Sequence, residues 1–598
     1  AWSKGLNVLL AGGINLARDP RGGRNFEYLG EDPLVAGMLC GAHIRGIQDQ
    51  HVVSTIKHFA LNDQETNRNF IDAVIDEAAF RESDLLAFEI GIEQGAPGAV
   101  MGSYNLINGA YGCGNAHLLN DVLKGDWAYP GWVMSDWGGV HSLDYAMNGL
   151  DQQSAAEFDS EPYFAGPLQQ AVADGTFPRA RLDNMVRRIL RSMFAVGLTD
   201  HPAIKTTIDF TAHAQLAQET AESGIVLLKN PDALLPLSPG VKRIAVIGGY
   251  ADFGVLSGGG SSQVVPDNSL HVPLGGNRLD GLPNKMVFHP SSPLAAIEAL
   301  APGAEVKFCD GRYSTEAEKL ARWADVVVVF AIKWQNEGVD APDLSLPDGQ
   351  DGLITAVAKA NAQTVVVLET GNPVTMPWLD HAAAVLQAWY PGIRGGQAIA
   401  NVLFGVVNPS GRLPLTFPRG LDQLPRTEIP GDGSFRTIFG GDFDPAKSIK
   451  VPHTEGSDVG YRWFARTGAT PLFPFGFGLS YSQFSYSNLT VSGGMTLCAH
   501  FDVTNTGTVA GKDVPQLYLT DAAGRTRLRL IGMTKLSLAP GETQRVTLTA
   551  DPRLIADFDA TANNWHIPAG SYSVSLNRSA TDVVLTGEAS LNEQRIKP

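Results

Sequence analysis

Asp136 is the residue whose type and position best suit nucleophilic chemistry. It follows the apolar run Gly131-Trp-Val-Met-Ser135 and precedes Trp137 and two glycines. Retaining cleavage of a glycosidic bond needs one carboxylate that attacks the anomeric carbon and a second carboxyl, about 5 to 5.5 Å away, that protonates the departing oxygen. A strand-terminal aspartate beside an indole, on which a sugar's apolar face can stack, fits the first role. The ordinary alternative is an aspartate that caps a helix.

Donor side chains follow the other candidate strands of the same region. They are Arg24, Lys57, His58, Arg68 and Tyr104. Such groups hold sugar hydroxyls or stabilise a carboxylate. Taken singly, Lys57 and Arg68 are equally typical of structural ion pairs, and His58 of a satisfied core histidine. Their shared position after strands favours a common site.

The elements that must position these side chains indicate an α/β multidomain chain. Residues 1–205 alternate apolar runs with amphipathic stretches, which is typical of β/α units with parallel strands. We expect strands at 7–10, 53–57, 99–103 and 132–136 and a helix at 180–196. In a (β/α)8 TIM-type barrel the chemistry lies at the carboxyl ends of the strands. This region has about 200 residues and a barrel typically takes about 250, so we expect the barrel's N-terminal part to be missing from the sequence given.

Two further regions follow. Residues 206–425 predict an α/β sandwich, with buried strands at 244–247, 326–330, 364–368 and 384–387. Ile244-Ala-Val-Ile-Gly-Gly-Tyr250 lacks the GxGxxG spacing, which disfavours dinucleotide binding. After a linker and junction segment, 426–474, residues 475–598 predict a β-sandwich with strands at 498–503, 514–519, 544–548 and 571–576. The aromatic stretch Gly460-Tyr-Arg-Trp-Phe464 either packs at a domain junction or contacts the aglycone side of a substrate.

Composition narrows the classes of partner. A formal net charge of −17 argues against nucleic acid and anionic membranes as partners, which need clustered Lys and Arg. No apolar stretch approaches the roughly 20 residues that span a bilayer. Four dispersed cysteines without a CxxC pair suggest neither a zinc ribbon nor a disulfide framework. We therefore expect a neutral substrate and no metal.

Several motifs together resemble glycoside hydrolase family 3, of the three-domain β-glucosidase type. In the first region they are Ala17-Arg-Asp-Pro20, Gly23-Arg-Asn-Phe-Glu27, Gly30-Glu-Asp-Pro33, Lys57-His58-Phe59, Val100-Met-Gly-Ser-Tyr-Asn105 and Val133-Met-Ser-Asp-Trp-Gly138. Further on they are Glu222-Ser-Gly-Ile-Val-Leu-Leu-Lys-Asn230, Gly392-Ile-Arg-Gly-Gly-Gln397, Asn408-Pro-Ser-Gly-Arg-Leu-Pro414 and Pro471-Leu-Phe-Pro-Phe-Gly-Phe-Gly-Leu-Ser-Tyr481. The resemblance covers essentially the whole chain, in order.

The resemblance implies a fibronectin-III-like fold for the last domain and a role for each candidate residue. Asp136 takes the nucleophile position, and the glycone subsite is lined by Arg24, Lys57, His58, Arg68, Tyr104 and Trp137. It points to Glu337, in Lys333-Trp-Gln-Asn-Glu-Gly-Val-Asp340, as the acid/base, with Asp340 and Asp343 as rivals. Beside Trp334, in a cleft that closes over substrate, Glu337 is expected to have a raised pKa.

The implied function is a retaining, exo-acting β-glucosidase that releases glucose from cello-oligosaccharides or related β-glucans by double displacement, without a cofactor. A β-xylosidase and a non-catalytic carbohydrate-binding protein stay as alternatives, whereas an N-acetylglucosaminidase would need a His-Asp loop in the barrel. The family's barrel-opening segment has no counterpart before Ala1, so we expect it as further residues or a separate chain. A secreted or periplasmic location is expected, with the cytoplasm and homo-oligomers left open.

Overall fold

A parallel four-stranded sheet organises the first region of the computed structural model, which describes residues 1–274, 285–433 and 443–598. Each strand pairs in parallel with the strand before it in sequence. The strands are Val8–Leu9, Val53–Phe59, Ala99–Gly102 and Trp132–Met134. The intervening helices are Pro33–Gln48, Glu77–Arg81, Asp84–Gly95 and His117–Asp126, and the helices Gly166–Ala173 and Arg179–Val196 follow the last strand.

These elements confirm the four strands predicted for this region, and the helix Arg179–Val196 confirms the predicted closing helix. All residues of the three longer strands are buried, because helices pack against them. Since all four strands are parallel, their carboxyl ends lie at one edge, so the residues that follow them meet there. His58, Tyr104 and Asp136 all lie at or just beyond this edge.

The junction segment adds a strand to the first region. Ile449–Pro452 pairs in parallel with Ile71–Val74, which continues a small sheet through Leu106–Ile107 and Ala110–Tyr111. The segment predicted as a linker thus has regular structure of its own, although its residues 434–442 lie outside the described ranges.

A six-stranded sheet forms the second region. In spatial order its strands are Glu305–Cys309, Arg243–Ile247, Val326–Lys333, Thr364–Thr370, Ala384–Gln387 and Val226–Lys229. Only the last pairing is antiparallel. Separate apolar cores lie on the two faces of the sheet, as predicted from its continuous hydrophobic runs.

The remaining elements of the second region complete these layers. The helices are Phe210–Gly224, Pro293–Leu300, Ser314–Trp323, Gln350–Ala360 and Gly395–Leu403, and a small sheet contains Val255–Ser257, Leu270–Pro273 and Lys285–His289. The loop after Val326–Lys333 carries Glu337 towards the first region.

The third region is built from antiparallel strands around one apolar core. The strands are Phe484–Ser492, Cys498–Asn505, Gly511–Asp513, Gln516–Ala522, Arg525–Met533, Leu536–Leu538, Thr543–Thr549, Asp557–Asp559, Asn564–Ile567, Gly570–Ser579, Asp582–Leu591 and Gln594–Ile596. The short helix Pro552–Ile555 lies between them. Leu34, Leu86 and Ile90 of the first region belong to the same core, so the sandwich packs directly on first-region helices.

The helix Tyr461–Thr467 lies at the junction of the regions. Tyr461, Arg462 and Phe464 are buried there. The Arg462 guanidinium donates to Asp32 Oδ2 at 3.0 Å, and the Tyr461 hydroxyl donates to the same oxygen at 2.8 Å. The structure therefore favours junction packing, one of the two interpretations left open by the sequence, for these three residues.

No helix within the described ranges is long and apolar enough to cross a membrane. The secreted or periplasmic location stays a prediction.

The buried pair of Asp32 and Arg462 generates a test of the junction. Arg462→Ala leaves the Asp32 carboxylate buried without its cation, which costs about 3–5 kcal/mol in the free energy of unfolding. Urea denaturation followed by tryptophan fluorescence measures this loss. In the control, Arg545→Ala, the loss should be much smaller, because Arg545 and its partner Asp502 meet at the surface. Equal losses in the two variants would contradict the junction role.

Candidate active site

Asp136 lies just beyond the strand Trp132–Met134, with 8% of its surface exposed. Its Oδ1 accepts a hydrogen bond from the Trp137 amide at 2.8 Å, and its Oδ2 lies 3.6 Å from His58 Nε2. Burial raises the pKa of Asp136 above its usual value, and the guanidinium groups of Arg68 and Arg24 oppose this rise. Cations therefore favour the ionised carboxylate that a nucleophile requires.

Arg24 and Lys57 share one carboxylate that the sequence did not single out. Glu27 accepts two hydrogen bonds from the Arg24 guanidinium, both at 2.8 Å, and lies 3.1 Å from Lys57 Nζ. Arg24 directly precedes the short helical turn Asn25–Glu27, and Glu27, three residues after Arg24, is the last residue of that turn. This bidentate pair holds the guanidinium plane fixed while its Nη1 faces the site.

His58 is a neutral side chain that links Arg24 to Asp136. Its burial and the cations Arg24, Lys57 and Arg68 lower its pKa well below the usual value. Arg24 Nη1 lies 3.2 Å from Nε2, and because a guanidinium only donates, Nε2 is the acceptor. The ring proton is therefore on Nδ1, which lies 3.3 Å from the Tyr28 hydroxyl.

Arg68 joins the two regions. Its Nη1 donates to Glu65 at 2.9 Å, its Nη2 lies 2.9 Å from Glu337 Oε1, and its guanidinium carbon lies 4.5 Å from the centre of the Tyr104 ring. The Tyr104 hydroxyl donates to the Trp137 carbonyl at 2.7 Å. Tyr104 thus fixes both Arg68 and the turn that contains Asp136.

Glu337 reaches this group from the second region. Its Oε1 contacts Arg68 and lies 3.6 Å from Arg24 Nη1, and its Oε2 accepts from the Ser261 amide at 2.7 Å. A path of three contacts, through His58 Nε2 and Arg24 Nη1, links Asp136 Oδ2 to Glu337 Oε1. The same two arginines therefore lower the pKa of two carboxyl groups that come from different regions.

The pKa expected for Glu337 is wrong for this arrangement. Burial opposes ionisation, but Arg68, Arg24 and the Ser261 contact outweigh it and hold the pKa of Glu337 well below its usual range. The pKa of Glu337 is lowered because its carboxyl faces two guanidinium groups. The sequence did not reveal this proximity, and the expected rise considered only the neighbouring Trp334. Glu337 is a bound carboxylate here.

The predicted residues do come together. Arg24, Lys57, His58, Arg68, Tyr104, Trp137, Asp136 and Glu337 are joined by the contacts above. Of the two rivals of Glu337, Asp340 accepts backbone amides of the first region, and Asp343 is exposed and accepts from Ser345. Within the described residues, neither Asp340 nor Asp343 forms a hydrogen bond or an ion pair with Arg24 or Arg68.

Sequence reasoning missed the carboxylates that hold the arginines, Glu27 and Glu65. Both lie three residues from their arginine, a spacing that signals a local ion pair. It also missed the contact of Ser261, whose only signal was the glycine-rich stretch before it. Burial raises the pKa of Glu65 to about 7, although Arg68 and Arg24 oppose this rise.

In the described part of the chain no cluster of three or more His, Cys, Asp or Glu side chains could hold a metal ion.

Comparison with known families agrees with this geometry. Residues 1–192 match the glycosyl hydrolase family 3 N-terminal domain, residues 225–481 match the family 3 C-terminal domain, and residues 513–580 match a fibronectin type III-like domain. The thermostable beta-glucosidase B of Acetivibrio thermocellus is 35% identical over 99% of this chain and 76% of its own length. This chain belongs to glycoside hydrolase family 3.

A second relative and a solved structure are also similar to this chain over most of its length. An exo-alpha-(1->6)-L-arabinopyranosidase of Bifidobacterium breve is 34% identical over 97% of this chain and 74% of its own length. Among solved structures, DesR, a beta-glucosidase from Streptomyces venezuelae in complex with D-glucose, superposes with a TM-score of 0.86. It is 32% identical and covers 98% of this chain and 88% of its own.

Gly23 allows the Glu337 loop of this family 3 protein to meet the first region. A Cβ at position 23 would lie 2.0 Å from the Val339 carbonyl oxygen. Gly23→Ala must therefore displace the loop, and a shift of about 1 Å costs about 100-fold in rate. We expect that loss in kcat/KM, measured with a chromogenic glycoside that the unmodified protein cleaves.

Gly46→Ala is the control for this substitution. A Cβ there meets no atom within 4 Å, and the residue lies in the helix Pro33–Gln48, where alanine is favoured over glycine. Its kcat/KM should stay unchanged. Normal activity in Gly23→Ala would contradict the close approach.

Proposed function

We propose that this protein is a retaining, exo-acting β-glucosidase that releases terminal β-D-glucose from cello-oligosaccharides or related β-glucans. The observation that carries the proposal is the approach of Glu337, from the second region, to Arg24 and Arg68, whose charges also act on Asp136 of the first region. The family and the names of the beta-glucosidase relatives support the activity.

In the proposed mechanism Asp136 is the nucleophile. Its carboxylate attacks the anomeric carbon while Glu337, in its protonated form, gives its proton to the departing glycosidic oxygen. A covalent glycosyl ester on Asp136 results. Glu337, now a carboxylate, takes a proton from a water molecule, and the water oxygen attacks the anomeric carbon. This attack frees the Asp136 carboxylate and restores the original configuration of the anomeric carbon.

Substrate must change the state of Glu337 before this sequence begins. Arg24 and Arg68 hold the Glu337 carboxylate, and they are also among the residues proposed to bind glycone hydroxyls. Sugar hydroxyls that accept from these guanidinium groups compete with Glu337 for them. Loss of those contacts and exclusion of water both raise the pKa of Glu337 towards the range of a general acid.

We also propose that the four-stranded parallel sheet belongs to a (β/α)8 TIM-type barrel. Its strands follow one another in sequence order and in parallel, with helices between them. The site's residues at the carboxyl ends support this assignment. Lys57, His58, Tyr104 and Trp137 would then form the glycone side of the site, and Trp137 would supply the stacking surface.

A specific observation favours a second candidate, an α-L-arabinopyranosidase. A relative with that name is as similar to this chain as the beta-glucosidases are. β-Xylosidase stays as the third. Hydrolysis of the p-nitrophenyl β-D-glucoside, β-D-xyloside and α-L-arabinopyranoside separates them, and we expect the highest kcat/KM for the glucoside.

Azide tests the two catalytic roles separately. With an activated aryl β-glucoside, Asp136→Ala plus azide should yield the α-glucosyl azide, because azide attacks from the face that the nucleophile occupied. Glu337→Ala plus azide should yield the β-glucosyl azide, because azide replaces water in the second step. Without azide, each variant should lose at least about 100-fold of kcat on cellobiose.

Proton NMR of the products measures the configuration. Asp343→Ala is the control, since Asp343 is exposed and bonds only within its own loop region. The same azide anomer from both variants, or full activity of either variant on cellobiose, would contradict the assignment.

The pH profile gives a further test because Arg68 acts on both carboxyl groups. Its charge lowers the pKa of Asp136 and that of Glu337. The two limbs of the pH profile of kcat/KM report the pKa values of these two carboxyl groups in the free protein. Arg68→Gln raises both pKa values, so both limbs should move to higher pH, by about 1 unit. Arg545→Gln, far away in the sandwich, should leave both limbs in place.

A further inference from the structure

The loop that carries Glu337 is fastened to the first region directly after the catalytic carboxyl, at Gly338 and Asp340. We propose that Glu65 and Asp340 form a carboxylate clasp, which positions Glu337 for proton transfer across the interface of the two regions. We define the clasp as these two side chains and the backbone amides that they accept. The inference rests on the proposed acid/base role of Glu337.

Asp340 forms the first half of the clasp. Its side chain comes from the second region and accepts amides of two first-region segments: Gly23 at 2.9 Å, Glu65 at 3.0 Å and Thr66 at 2.7 Å. Asp340 is 6% exposed. A buried carboxylate that accepts hydrogen bonds from three backbone amides is held in one orientation. Its displacement costs free energy, because the amides would be left without hydrogen-bond acceptors.

Glu65 forms the second half in the opposite direction. Its side chain comes from the first region, and its Oε2 accepts the Gly338 amide of the Glu337 loop at 2.7 Å. The same oxygen accepts from Arg68 Nη1 at 2.9 Å, while Arg68 Nη2 contacts Glu337. Glu65 therefore holds both the loop and the guanidinium that Glu337 faces.

Both halves act on the chain just after Glu337. Glu65 holds the residue directly after it, and Asp340 lies three residues after it. On its other side the loop pairs with its own region: the Gly259 amide donates to the Gln335 carbonyl at 2.9 Å, and the Glu337 amide donates to Gly259 at 3.2 Å. Glu337 thus lies between fixed backbone on both sides, at the point where the two regions meet.

The clasp differs from a general interdomain contact in what it controls. A contact that only held the regions together would affect all substrates alike. A contact that positions a general acid matters in proportion to how much protonation the departing group needs. Glucosides with poor leaving groups should therefore depend on the clasp, and glucosides with good leaving groups should not.

The experiment compares cellobiose with 2,4-dinitrophenyl β-D-glucoside. For Glu65→Gln and for Asp340→Asn, the ratio of kcat/KM for cellobiose to that for the dinitrophenyl glucoside should fall by at least about tenfold, since a general acid contributes about 10²- to 10⁴-fold. Both rates are measured on the same preparation, so the ratio is independent of the folded fraction. Asp343→Asn makes the same change on the same loop, at a side chain whose hydrogen-bond partner in the described residues is Ser345, and it should keep the ratio of the unmodified protein.

Glu337→Gln separates the clasp from the proposed function. If the ratio falls in Glu337→Gln but stays unchanged in both clasp variants, the clasp is overturned and the acid role stands. If the ratio does not fall in Glu337→Gln, the acid role itself fails, and the clasp with it. A fall in the Asp343→Asn control equal to that in the clasp variants would also overturn the proposal.

Discussion

The rest of the site depends on the burial of Arg24 and Arg68. A guanidinium group in a buried position must be neutralised by nearby carboxylates, because leaving it unpaired would cost several kcal/mol. Each arginine takes one carboxylate from its own neighbourhood, Glu27 or Glu65, and both face Glu337 from the other region. Their charges also favour the ionised form of Asp136. One pair of cations thereby lowers the pKa of both proposed catalytic groups, against burial, which raises both.

This dependence explains why the site needs two regions. The carboxyl ends of the parallel strands supply the nucleophile and most donors, but the second carboxyl arrives on a loop of the six-stranded sheet. Glu337 faces the two arginines, which hold its pKa below its usual range. A sugar that takes over the arginines' hydrogen bonds supplies the energy to release it. Binding and activation of the acid are then the same event.

The sequence predicted much of this arrangement for identifiable reasons. Continuous apolar runs such as Val326–Lys333 produced buried strands, and the position of Asp136 after such a run placed it at the site edge. Glu337 came from family resemblance alone, since no local pattern marks it. The direction of its pKa could not be predicted, because it depends on Arg24 and Arg68, which lie more than 250 residues away in the chain. The strand Ile449–Pro452 was missed because it gains its partner, Ile71–Val74, from the first region.

The central claim, that Asp136 is the nucleophile of a double displacement, is tested most directly by trapping the covalent intermediate. A 2-deoxy-2-fluoro-β-D-glucoside with a good leaving group forms the glycosyl ester quickly and releases it slowly, because fluorine destabilises both oxocarbenium-like transition states. Mass spectrometry of the peptides from the inactivated protein should find one fluoroglucosyl group, attached to Asp136. A label on another carboxylate, or inactivation without any label, would contradict the account.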